Sequence, residues 1–182
     1  ACRDAQFNMH TILPDNLGEI CTLTDEFNRV FQMSHLMHHF FFEGIGLRQM
    51  IDYYYLLKRG FTETERKDTI RWFKRTGMYK FASAVMYVMK DIFGMSEEYL
   101  LLPPNGRIGK LLVSEMMQSG NFGFYDKRYS FAGKSVYSQY FIEIYRNLHF
   151  AFDFPSETIW GRPISRWWHM LYKAYLRRQL KG

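Results

Sequence analysis

Cysteine is scarce in this chain, with two among 182 residues, Cys2 and Cys21. Two thiols so placed cannot form a disulfide framework or a CxxC metal site, so reduced thiols in a cytoplasmic protein are the expectation. Long apolar runs are also missing. The richest, Phe81–Met89, meets Lys90 after nine residues, well short of the roughly 18–20 that span a bilayer. The first residues, ACRDAQFN, have no basic-then-apolar leader pattern and no initiator Met, so a fragment or a processed product is expected. No repeat, low-complexity linker, P-loop, Ser-His-Asp or Cys-His arrangement is legible. Acid is absent from the tail: residues 162–182 carry Arg162, Arg166, Lys173, Arg177, Arg178 and Lys181 and no Asp or Glu. The rest has 18 cations and 18 anions, so the net charge of +6 belongs to the tail. This weakens any inference from basic pI to a nucleic-acid-binding domain.

What is present is apolar and aromatic. Hydrophobic residues make up 47% of the sequence and aromatics 19%, with a mean hydropathy of −0.31, enough for one domain with a real core. Residues 6–23 read as a β-hairpin around an Asp15-Asn16-Leu17-Gly18 turn, and the remainder reads as helix. Thr24 caps a first helix that Gly44 ends. A second runs from about Gly46 to Arg59, with Gly60 after it. Thr62 and Glu65 form a capping box for a third, which stops at Gly77. A fourth covers Met78–Phe93, closed by Gly94. Pro103-Pro104 break the chain, and Asn105 caps a fifth helix that ends at Gly120. An aperiodic loop follows over 120–133, then a helix over about Lys134–Phe152, a short turn after Phe154, and a last helix from Arg162-Pro163 to about Leu180. The expected fold is mainly α: a single multi-helix domain of about six to eight helices (24–182) with a β-hairpin appendage (1–23).

The stretch His35–Leu57, HLMHHFFFEGIGLRQMIDYYYLL, concentrates the chemistry. On a helical wheel Asn28, Gln32, His35, His39 and Glu43 form a thin polar seam flanked by apolar residues, with His38 in the middle of the apolar face. His35 and His39 are spaced i, i+4, so one metal could join them, with Glu43 as a third ligand. The HExxH order is absent, and no metal site is assigned. The two histidines read instead as buried and hydrogen-bonded, or as the polar wall of a substrate site. Arg48 occupies a helix's first turn, where the macrodipole disfavours a cation. An i, i+4 salt bridge to Asp52, Glu43, or a substrate phosphate or carboxylate near Gly44 and Gly46 would offset that. Asp52, Tyr55 and Arg59 continue the strip, and Asp52 is a candidate general base if desolvated. Asp126 lies in the aromatic loop, read either as a substrate loop or as a loop pinned by its own rings. The last helix has Ile164, Trp167, Trp168, Leu171, Tyr175 and Leu176 along one side and Arg166, His169, Lys173 and Arg177 on the other. Closing the core is the first reading of that stripe; contact with an anionic membrane or nucleic acid is the less favoured one.

The blocks FNRVFQMSHLMHHFFFEGIGLRQMIDYYYLL, GMYKFASAVMYVM, GNFGFYD and FPSETIW together resemble the C-terminal part of a bacterial family of nucleotidyltransferase-like proteins, relatives of the minimal nucleotidyltransferases. The likeness runs from about Asp4 onward. It implies an N-terminal α/β core with a Gly-Ser pair and an Asp-x-Asp that hold Mg2+ and an NTP. Neither motif is in this sequence, so the chain is expected to be the C-terminal helical portion of a longer protein, binding an acceptor and closing the active site. The resemblance implies a carboxylate that takes the acceptor's proton; on the wheel geometry Asp52 is the expected one, Arg48 would hold a phosphate or orient Asp52, and His35, His39, Glu43 and Asp126 would contact substrate. The competing expectation is a helical binding module with no reaction, using its basic last helix on an anionic partner.

Overall fold

The computed structural model describes residues 9–12, 19–42, 44–119 and 136–179. Its described part is mainly helical, with seven α-helices. The chain divides into two units, Ala1–Asp126 and Lys127–Gly182. Two short antiparallel strands, Met9–Ile12 and Glu19–Thr22, pair with Met9 opposite Thr22. The turn expected between them lies outside the described residues, and a hairpin over 6–23 as a unit is not supported.

In the first unit, α1 (Asp25–Phe42) begins where the Thr24 hydroxyl accepts from the Phe27 N–H. Asp25 and Glu26 in its first turn favour the N-terminal end of the helix dipole. Gly44 leaves the helix at φ 90°, its N–H donating to the His39 carbonyl. A side chain at that φ would be strained, which explains the glycine. α2 (Leu47–Lys58) follows after the buried Gly44-Ile45-Gly46 turn. α3 (Glu63–Arg75) opens with the expected capping box: the Glu65 N–H donates to Thr62 Oγ1, and the Thr62 N–H donates to Glu65 Oε2 at 2.7 Å.

α4 (Tyr79–Tyr87) continues into a π-helical turn, Val88–Ile92, rather than running as one α-helix to Phe93. A 3-10 turn, Glu97–Tyr99, leads to Pro103-Pro104. The Asn105 side chain then caps α5 (Gly106–Ser119) by accepting from the Ile108 N–H. α4 and α5 approach closely because Gly109 has no side chain: a Cβ there would lie 2.5 Å from Tyr87 Cβ and Cγ. The core gathers Met33, Leu36, Phe40 and Phe41 of α1, Met50, Tyr53 and Leu57 of α2, Phe73 of α3, Phe81 and Val85 of α4, and Leu112 of α5. Phe81 packs its ring against Phe40 and Phe41 at 5.7 and 6.2 Å.

One charge is built into this core. Arg29 is fully buried. Its guanidinium donates to the Gly60 carbonyl at 3.1 Å, lies 3.1 Å from a Glu65 carboxylate oxygen, and stands over the Phe61 ring at 5.6 Å. The fully buried Tyr53 donates its hydroxyl to the Arg29 carbonyl. Burial pushes the Tyr53 hydroxyl pKa up, with Arg29 opposing, so it stays a neutral donor. Arg29 thus ties α1 to the α2–α3 connection and to the start of α3. The wheel reading missed it, although its spacing from Met33, Leu36 and Phe40 puts it on their stripe.

In the second unit, α6 (Val136–Asn147) runs into a 3-10 turn, Leu148–Phe150. A π-helical turn, Ser156–Trp160, leads into α7 (Gly161–Gln179). Phe150 and Phe154 are buried, with rings 6.3 Å apart, and the Thr158 hydroxyl donates to the Phe154 carbonyl. Phe141 and Tyr145 of α6 and Leu148 of the turn after it are exposed and line an apolar groove of about 450 Å³ with Ile142 and Ile144. On α7, Ile164, Trp167, Trp168, Leu171, Tyr175 and Leu176 are all exposed, so the stripe expected to close the core is solvent-facing. Among the described residues, no helix is long and apolar enough to cross a membrane.

Candidate functional site

The described candidate residues sit on α1 and α2, and helix packing decides which of them face outward. α1 buries Arg29, Met33, Leu36, Met37, Phe40 and Phe41. The opposite side carries a ladder of rings at i, i+4 spacing: Phe27 stacks on Phe31 at 6.0 Å, Phe31 on His35 at 6.3 Å, and His35 meets His39 edge-on at 4.1 Å. The seam is therefore at the surface and not sunk in a buried rod. His35 is exposed and His39 partly so, which overturns the buried-histidine reading. Their Nε2 atoms are 2.9 Å apart. His38 is exposed, against the wheel reading that put it amid the apolar face, and packs on Phe42 at 4.7 Å.

Gly46 caps α2, and its N–H donates to Gln49 Oε1 at 3.1 Å. The Gln49 side chain thus satisfies one of the orphan donors of the first turn. Arg48 stands in that turn, which holds no acid. Met50, Tyr53, Leu56 and Leu57 face inward, while Arg48, Asp52, Tyr55 and Arg59 are exposed. Their spacing of four, three and four residues makes them one strip along the helix. Arg59 is engaged at its far end, 3.1 Å from Asp25. Among the described residues no ion pair joins Arg48 to Asp52, so the intrahelical salt bridge is not formed.

The structure thus brings His35 and His39 together on α1 and sets Arg48 and Asp52 on one face of α2. Glu43 and Asp126 lie outside the described residues. No group of three or more metal-ligating side chains occurs among the described residues. Chemically, the strip offers a guanidinium for phosphate or carboxylate and a carboxylate that can accept a proton once covered. Comparison with family models, with curated proteins and with solved structures found no match.

Proposed function

We propose that this chain is the helical acceptor-binding portion of a bacterial cytoplasmic nucleotidyltransferase-like protein. The support is the sequence resemblance, together with one geometric observation. Arg48 and Asp52 share an exposed strip directly after a buried glycine turn, without an ion pair between them. On this reading Arg48 holds an anionic group of the nucleotide or acceptor, and Asp52 accepts the acceptor's proton. His35 and His39, with Glu43 and Asp126, add acceptor contacts. The Gly-Ser pair and Asp-x-Asp of the resembled family are not in these 182 residues. On this reading nucleotide and metal are held by a catalytic core outside this chain. Asp52 is exposed, so its basicity must be raised by what closes over it. The test is Asp52→Asn in the full-length protein. Loss of general-base catalysis lowers turnover by about 100-fold or more; retention of wild-type turnover removes Asp52 from the mechanism.

A second reading is favoured by α7. Its exposed Trp167, Trp168 and Leu171 lie on a helix whose segment 162–182 carries six cations and no acid. That is the composition of an interfacial helix that binds an anionic surface without catalysing a reaction. Deleting residues 162–182 should then abolish salt-sensitive binding to anionic vesicles and leave the rest folded. Unfolding of the truncated chain would count against this reading.

A further inference from the structure

We propose that His35 and His39 form a two-imidazole binding site for a divalent transition-metal ion on the surface of α1. The proposal is independent of nucleotidyl transfer and uses only groups on α1. Both residues lie on one continuous helix whose opposite face is buried, so their Cα positions are fixed by α1 itself. The i, i+4 spacing places the two rings one above the other. Their Nε2 atoms are 2.9 Å apart, one donating a hydrogen bond to the other. A shared ion would take the place of that proton and accept a lone pair from each ring, at about 2.05 Å.

The ring ladder steadies the pair. His35 stacks on Phe31, and His39 meets the His38 ring at 5.8 Å. Histidine χ2 occupies a broad well, so each ring can turn to aim its lone pair at a common point. Imidazole donors suit copper and nickel, and affinity along the first-row series peaks at copper. The exposure of His35 leaves further coordination positions open to water or to a third ligand. The site is the kind that binds exchangeably at a surface and does not hold the fold together, because the helix is complete without it.

The probe is Ni2+ alone, added to the untagged, chelator-treated full chain and followed by equilibrium dialysis and thermal melting. Wild type should bind, and its Tm should rise with Ni2+ concentration as binding to the folded state requires. His35→Gln and His39→Gln should each weaken that binding at least about tenfold, the lower end even for loss of an outer-shell partner. His38→Gln should keep it. Circular dichroism without metal checks that each variant is folded, which surface positions on a preformed helix permit. Absence of Ni2+ binding in wild type would overturn the proposal. So would binding that survives both single variants, or an equal loss in His38→Gln.

Discussion

Replacing Glu65 by alanine removes two interactions at once, and Arg29 separates them. The first is the capping box: the Thr62 N–H loses its acceptor at the start of α3, which costs about 1 kcal/mol. The second is the carboxylate 3.1 Å from the fully buried Arg29 guanidinium. Stranding a charge in a buried pair costs roughly 3–5 kcal/mol. Here the Glu65 side chain keeps 35% of its surface in water, and solvent reduces the loss to about 2 kcal/mol. Glu65→Ala should therefore destabilise the chain by about 3 kcal/mol in all. Arg29→Met keeps volume and removes the charge. In that background the same alanine substitution should cost only the capping term, about 1 kcal/mol. The coupling energy from the four urea melts is then about 2 kcal/mol. Equal costs of Glu65→Ala in both backgrounds would refute the claim that Arg29 depends on this carboxylate.

The same carboxylate sets an acid dependence. Its hydrogen bond from the Thr62 backbone, with further help from the Thr62 hydroxyl and Arg29, holds the Glu65 pKa below its ordinary 4.5. This stabilisation is fully present above pH 4.5 and is lost as pH falls through the lower folded value, so Glu65→Ala should flatten the acid limb of a stability–pH curve measured by urea melts. Gly109→Ala puts a Cβ 2.5 Å from Tyr87 Cβ and Cγ and should cost about 1–3 kcal/mol by forcing α4 and α5 apart. Tyr87→Ala in the same chain should recover part of that loss in thermal melts. Tyr53→Phe removes the hydroxyl that bonds the Arg29 carbonyl and should cost about 1 kcal/mol in urea melts.

Local signals in the sequence marked the helix ends. Thr24, the Thr62–Glu65 box and Asn105 start helices where their side chains reach orphan N–H groups. Gly44, Gly60, Gly77 and Gly94 follow helix ends with positive φ. Each of these rests on chemistry within four residues. The face that α1 buries does not. Phe31 and His38 read as apolar-face residues, yet both are exposed, while Arg29 is buried because Glu65, Gly60 and Phe61 converge on it from residues 31 to 36 positions away. The wheel puts Arg29 on the Met33–Leu36–Phe40 stripe, but the groups that hold its charge there belong to the packed partner elements. The Arg48–Asp52–Tyr55 strip was legible because Met50, Tyr53, Leu56 and Leu57 define the buried side of α2 unambiguously. The Arg48–Asp52 salt bridge is absent, and in that orientation, cation before acid at i, i+4, the pair is the weaker one.

The central claim is that α2 presents an acceptor-binding strip with Asp52 as the proton acceptor. It is tested most directly by measuring NTP affinity and Mg2+-dependent pyrophosphate release together for the full-length protein and its Asp52→Asn variant. The account predicts unchanged NTP affinity and release lowered by about 100-fold or more. Release at the wild-type rate from the variant would contradict it.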